Sequence, residues 1–214
     1  AQRSPGLEEV WYDGIDQDCD GVDLSRTVQT GRWNTCVMDD EGFVECWGDD
    51  HYEQSSTTPD NSFVSLSAST YHNCGLTESG EILCWGAGTE PQECDIDIHC
   101  GQSVPPTGTF IEVANGDLFS CAIDTQNELH CWGTNKHGYV ENNIASDIPQ
   151  GQYTTLSAGR SHACALDFSG NIVCWGQGHR DQLEAPAGEF LAIRSGGDRN
   201  CAMDVIGTLH CWGA

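Results

Sequence analysis

Cysteines carry the plainest chemistry in this chain, and their spacing is regular. Of thirteen cysteines in 214 residues, ten fall into five pairs with nine residues between the partners. The phrases are CVMDDEGFVECWG from Cys36, CGLTESGEILCWG from Cys74, CAIDTQNELHCWG from Cys121, CALDFSGNIVCWG from Cys164 and CAMDVIGTLHCWG from Cys201. The fillings differ while the spacing and the closing Trp-Gly stay, so the constraint is geometric. Thiols brought face to face are oxidised to disulfides in secreted compartments.

A second constellation lies in WYDGIDQDCDGVD, residues 11–23. Asp16, Asp18 and Asp20 alternate and Gly21 follows, which is the first half of an EF-hand-like calcium loop. The carboxylate expected at the twelfth loop position is absent, since Thr27 stands there, so a Ca²⁺ site would recruit Asp13 or Asp23. The other reading is an acidic linker rich in Asx turns.

An antiparallel hairpin places each cysteine pair. If Cys36 opposes Cys46, then Val37 faces Glu45, Met38 faces Val44 and Asp39 faces Phe43, leaving three loop residues. Such loops end on a residue in the left-handed region, which favours Gly or Asn. The five positions hold Gly42, Gly80, Asn127, Gly170 and Gly207. Asp39, Thr77, Asp124, Asp167 and Asp204 precede the loops and suit turn capping. The expected bridges are Cys36–Cys46, Cys74–Cys84, Cys121–Cys131, Cys164–Cys174 and Cys201–Cys211.

Alternation then puts Met38, Leu76, Ile123, Leu166 and Met203, with Val44, Ile82, Leu129, Ile172 and Leu209, on the cysteine face, which is expected to be buried. Eight residues before each first cysteine stand Val28, Leu66, Val113, Leu156 and Ile193, marking a third strand. Each unit is thus about three strands, and the tryptophans at 47, 85, 132, 175 and 212 give a period of propeller size.

FVSLSASTYHNCGLTESGEILCWG and YTTLSAGRSHACALDFSGNIVCWGQGHRDQLEAPAGEF resemble repeats of the regulator of chromosome condensation family. The resemblance covers about residues 22–214 and implies an all-β, propeller-like array of five disulfide-stapled blades behind an acidic N-terminal segment, residues 1–21. Family members usually have seven blades, and this chain shows five. The Asp-rich stretch also resembles a short metal-binding motif of secreted bacterial proteins.

Net charge of −25 argues against nucleic acid and anionic membranes as partners. No apolar run approaches the length of a membrane span, and the chain reads as a mature secreted or cell-surface protein. Cys94 and Cys100 are expected to close the loop CDIDIHC, leaving Cys19 for a bond to another chain or as a shielded thiol. His72 and His162 share one repeat position, as do His130 and His210, which points to structure. GRSHA at 159–163 lacks the setting of a nucleophile elbow. No enzyme chemistry rises above background. The expected function is a self-assembling extracellular subunit, with Leu7, Val10, Trp11, Tyr12 and Cys19 engaging a neighbouring copy. The alternative is a module that binds another extracellular protein.

Overall fold

The computed structural model describes residues 27–90, 98–134, 144–145 and 147–214. Among them, strands form five three-stranded antiparallel sheets, each a simple meander. Blade one is β1 (Thr27–Thr30), β2 (Asn34–Met38) and β3 (Val44–Gly48), and blade two is β4 (Ser65–Ala68), β5 (His72–Leu76) and β6 (Ile82–Gly86). Blade three is β7 (Phe110–Asn115), β8 (Phe119–Asp124) and β9 (Leu129–Gly133). Blade four is β10 (Tyr153–Ala158), β11 (His162–Asp167) and β12 (Ile172–Gly176), and blade five is β13 (Phe190–Gly196), β14 (Arg199–Asp204) and β15 (Leu209–Gly213). The fold is the all-β, propeller-like array that the repeats imply.

The hairpins form because their turn residues suit the turn. Gly42 and Asn127 close their loops at φ of 84° and 65°, a region open to Gly and tolerated by Asn. Asp39 Oδ1 accepts from the Phe43 amide at 2.8 Å, and Asp204 Oδ1 accepts from the amides of Ile206 and Thr208. Thr77 Oγ1 accepts the Glu81 amide in the same way. The register sets Cys36 opposite Cys46 and Met38 opposite Val44, and every blade repeats it. All five hairpin disulfides are formed, across Cα separations of 4.0 to 4.1 Å. Cys100 is also disulfide-bonded, while Cys94 lies outside the described residues.

The core lies between blades rather than within them. Cys36, Met38 and Val44 of blade one meet Phe63, Leu66 and Trp85 of blade two. The next three junctions repeat this arrangement, the last joining Cys164, Leu166 and Ile172 to Phe190, Ile193 and Trp212. Each fully buried aliphatic or aromatic side chain there contributes roughly 1.5–3 kcal/mol.

One expectation needs correction. The cysteine face is buried in blades one to four but not in blade five, where Leu209 is 69% exposed and Met203 37%. The period-two alternation chose the correct face, but burial depends on a following blade, and none covers this one among the described residues.

Candidate functional site

Each junction is sealed by polar contacts that recur as the blades do. Trp85 Nε1 donates to the Gln54 carbonyl at 3.1 Å, and Trp212 Nε1 to the Gln182 carbonyl at 3.1 Å. Side chains also cross the junctions. Asn34 Nδ2 donates to Asn73 Oδ1, His72 Nε2 meets Ser120 Oγ at 2.7 Å, and His162 Nε2 meets Asn200 Oδ1 at 2.7 Å. Burial pushes His72 down to about 3 and lowers His162 as well, so both stay neutral at ordinary pH. The other pair, His130 and His210, sits on Asp124 and Asp204 at 2.7 and 2.8 Å and edges against Phe110 and Phe190. These histidines hold the fold together.

A backbone bond marks every junction too. The Phe63 amide donates to Gly42 O at 2.8 Å, Phe110 to Gly80 O at 2.8 Å, Tyr153 to Asn127 O at 2.9 Å and Phe190 to Gly170 O at 2.9 Å. In each case the aromatic that opens a blade is tied to the turn residue of the blade before. Gly207, the equivalent turn residue of blade five, has no atom within 4 Å of where a Cβ would stand, and its carbonyl receives no such bond among the described residues.

Among the described residues, blade five therefore presents an uncovered face of Met203, Leu209 and the exposed Cys211, with Val205 and Ile206 exposed at the hairpin tip. The opposite end of the array is open as well. Val28 is 53% and Trp47 51% exposed on blade one, whereas their counterparts Leu66 and Trp85 are buried. Among the described residues, no hydrophobic cluster joins the two end faces.

The inner strands β1, β4, β7, β10 and β13 flank a central groove. Its mouth is a cavity of about 470 Å³ lined by Arg32, Thr70, Asp117, Arg160 and Asp198. Arg160 Nε donates to Asp117 Oδ2 at 3.0 Å, and Thr70 Oγ1 donates to Asp117 Oδ1. Deeper in the groove, Glu112 Oε2 accepts the Leu156 amide at 2.9 Å. Burial raises Glu112 to about 7, against that hydrogen bond and the positive charge of Arg194. The groove can bind polar groups by hydrogen bonds and charge.

Asp13, Asp16, Asp18, Asp20, Asp23, Cys19, Leu7, Val10, Trp11 and Tyr12 all lie outside the described residues. Sequence reasoning missed the connector glutamines as acceptors of the tryptophans, although a Gln a few residues before Pro recurs in EQSSTTP, GQSVPP and DQLEAP. It also missed Glu112, which has no counterpart at the same strand position of the other blades.

Three stretches of the chain, residues 63–92, 110–138 and 153–182, match the regulator of chromosome condensation (RCC1) repeat. The entire ectodomain of the Physcomitrella patens receptor kinase CR4 is similar in structure, with a TM-score of 0.72 and 21% identity over 89% of this chain and 52% of that one. The fold is an RCC1-like propeller. The CRINKLY WD40 ectodomain of the Arabidopsis thaliana receptor kinase ACR4 matches this propeller with a TM-score of 0.66 and 21% identity, over 92% of this chain and 67% of that one. Prp20p from Saccharomyces cerevisiae matches with a TM-score of 0.65 and 16% identity, over 89% and 57%. The propeller spans about half the length of the CR4 ectodomain. Comparison with curated proteins finds no match.

Proposed function

We propose that this chain is a non-enzymatic extracellular structural subunit that assembles with copies of itself. The observation that carries the reading is the cystine face of blade five, which is uncovered among the described residues. Its counterparts form the core of every junction between blades, and an apolar face of that composition left in water marks an interaction site. The acceptor face and its occupant differ, so the contact is head to tail and propagates into a filament or a ring. An extracellular location is supported by the repeated disulfides, which oxidising compartments maintain. In the same proposal, Ca²⁺ held by Asp16, Asp18 and Asp20, with Asp13 or Asp23, orders the N-terminal connector.

Light scattering and electron microscopy of the purified full chain, with and without millimolar Ca²⁺, test the reading. Large particles or filaments are expected; a monomer at high concentration in Ca²⁺ overturns it. Loss of the calcium response in Asp18→Ala is expected, and an unchanged response removes the metal from the proposal.

The polar groove favours a second reading, an extracellular module that binds another protein or a polar ligand. Fold likeness to receptor kinase ectodomains is compatible with this role. A monomer that captures a partner, and loses it on Asp117→Ala, would support the second reading over the first.

A further inference from the structure

We propose that the cystine face of blade five is the acceptor for the N-terminal segment of a second copy, with Tyr12 and Ile15 taking the places that Phe190 and Ile193 occupy on blade four. This rests on the self-assembly reading above and names its interface.

The four internal junctions define what such a face accepts. Each is covered by an aromatic residue and, three positions later, an aliphatic one: Phe63 and Leu66, Phe110 and Val113, Tyr153 and Leu156, Phe190 and Ile193. All eight side chains are buried. Among all the Trp, Tyr and Phe residues of the sequence, only one other is followed by Leu, Ile or Val three positions on, and that is Tyr12, followed by Ile15. The pattern that covers four of the five cystine faces thus occurs once more in the sequence, and the fifth face is uncovered among the described residues.

The backbone supplies an independent argument. Every junction aromatic donates its amide to the turn carbonyl of the blade before, and on blade five that carbonyl, Gly207 O, is left without such a donor among the described residues. The amide of Tyr12 would fill that role, bringing the Tyr12 ring over Met203 and Leu209. Leu7, Val10 and Trp11 then stand close by to extend the apolar contact.

Blade one of a second copy is the poorer occupant. It carries Ser25 at the aromatic position and Glu45 where blade two has Leu83, so docking it would leave the aromatic site empty and press a carboxylate against apolar surface. A five-blade body is also far bulkier than a short segment.

The test uses two full-length variants, each lacking one half of the junction. Leu209→Glu removes the face and keeps the segment, while the double variant Tyr12→Ser with Ile15→Ser removes the segment and keeps the face. Leu209 is largely solvent-exposed, so the first variant leaves the fold intact, and peptide mapping of the hairpin disulfides checks this for both. Loss of a buried aromatic and aliphatic anchor is expected to weaken self-association at least about 30-fold. Each variant alone should be monomeric by light scattering, and an equimolar mixture should give a heterodimer and nothing larger, because only one complete junction can form.

If the wild type assembles and both variants still do, the interface is wrong and the self-assembly reading stands. If Val28→Asp abolishes assembly while the Tyr12 and Ile15 variant retains it, blade one is the occupant and the proposal is overturned. If the wild type is monomeric, the self-assembly reading itself fails. If, in that monomer, Tyr12 is shielded from solvent and Leu209→Glu exposes it, the segment covers its own blade five, and the contact between copies is excluded.

Discussion

The indole Nε1–H of Trp132, on the last strand of blade three, donates to the backbone carbonyl of Gln102 in the connector before that blade, at 2.8 Å. The same carbonyl accepts from Ser120 Oγ at 3.1 Å, so one connector residue fastens two strands of the blade it precedes. Gln102 is fully buried, and its side chain is used locally, Oε1 accepting the Cys100 amide and Nε2 donating to Ile98 O. The connector is therefore part of the core, and the closing Trp anchors it in blades two, three and five, through Trp85, Trp132 and Trp212.

Trp132→Phe should cost about 2 kcal/mol, from lost packing volume and one hydrogen bond, since Ser120 keeps the Gln102 carbonyl partnered. Trp47→Phe, at the half-exposed equivalent in blade one, should cost less than about 0.5 kcal/mol. Urea midpoints with the disulfides intact decide this. Equal costs at the two sites would show that the Trp–connector bond does not stabilise the blade.

The disulfides should differ in access although their sequence settings are alike. Cys36, Cys74, Cys121 and Cys164 are fully buried at junctions, whereas Cys211 is exposed on the uncovered face. Thiol attack depends on access to a sulfur, so limited reductant should open Cys201–Cys211 first. Alkylation and peptide mapping over time give the order. Simultaneous reduction of all five would mean that blade five is covered in solution, and a lag appearing only under assembling conditions would be the footprint of the occupant.

Much of this architecture is legible in the sequence because it is local. A hairpin with a fixed three-residue loop is specified by nine intervening residues and a Gly or Asn, and Asn127 shows that the requirement is the conformation rather than glycine itself. Face assignment was legible from alternation. Burial was not, because Met203 and Leu209 have the residue types of Leu166 and Ile172 and differ only in what stands opposite. The connector glutamines escaped notice because they act partly through their backbone carbonyls, which residue type does not encode. Glu112 looks like any other carboxylate in an acidic chain until the strands of neighbouring blades surround it.

Acid should destabilise the fold through the buried histidines. His72 titrates at about 3 when folded and near 6.5 when unfolded, so the unfolded chain takes up a proton first as pH falls. The stabilisation is complete above about pH 6.5 and is lost as pH drops toward 3, amounting to at most about 3 kcal/mol between pH 6.5 and 4. His162 shifts in the same direction. His72→Gln should show a flatter dependence of urea midpoint on pH over this range, whatever its absolute stability. An unchanged slope would place the acid sensitivity elsewhere.

Glu112 should act in the opposite sense. Burial in the groove raises its carboxyl to about 7, from an ordinary value of 4.5, so the folded chain holds the proton more tightly than the unfolded one. The associated stability is present below about pH 4.5 and is lost as pH rises through 7, by about 3 kcal/mol at most. Glu112→Gln keeps an oxygen for the Leu156 amide and removes the charge. Its stability relative to the wild type should therefore improve by about 2 to 3 kcal/mol between pH 5 and pH 8, read from urea midpoints at the two values. Arg194 is the group that could defeat this, since its positive charge favours the ionised carboxylate. If the pH 8 gain is absent in Glu112→Gln but appears when Arg194→Met is the background, the Arg194 charge already offsets the desolvation of Glu112. If it is absent in both, the carboxylate is solvated and the groove around Glu112 is open to water.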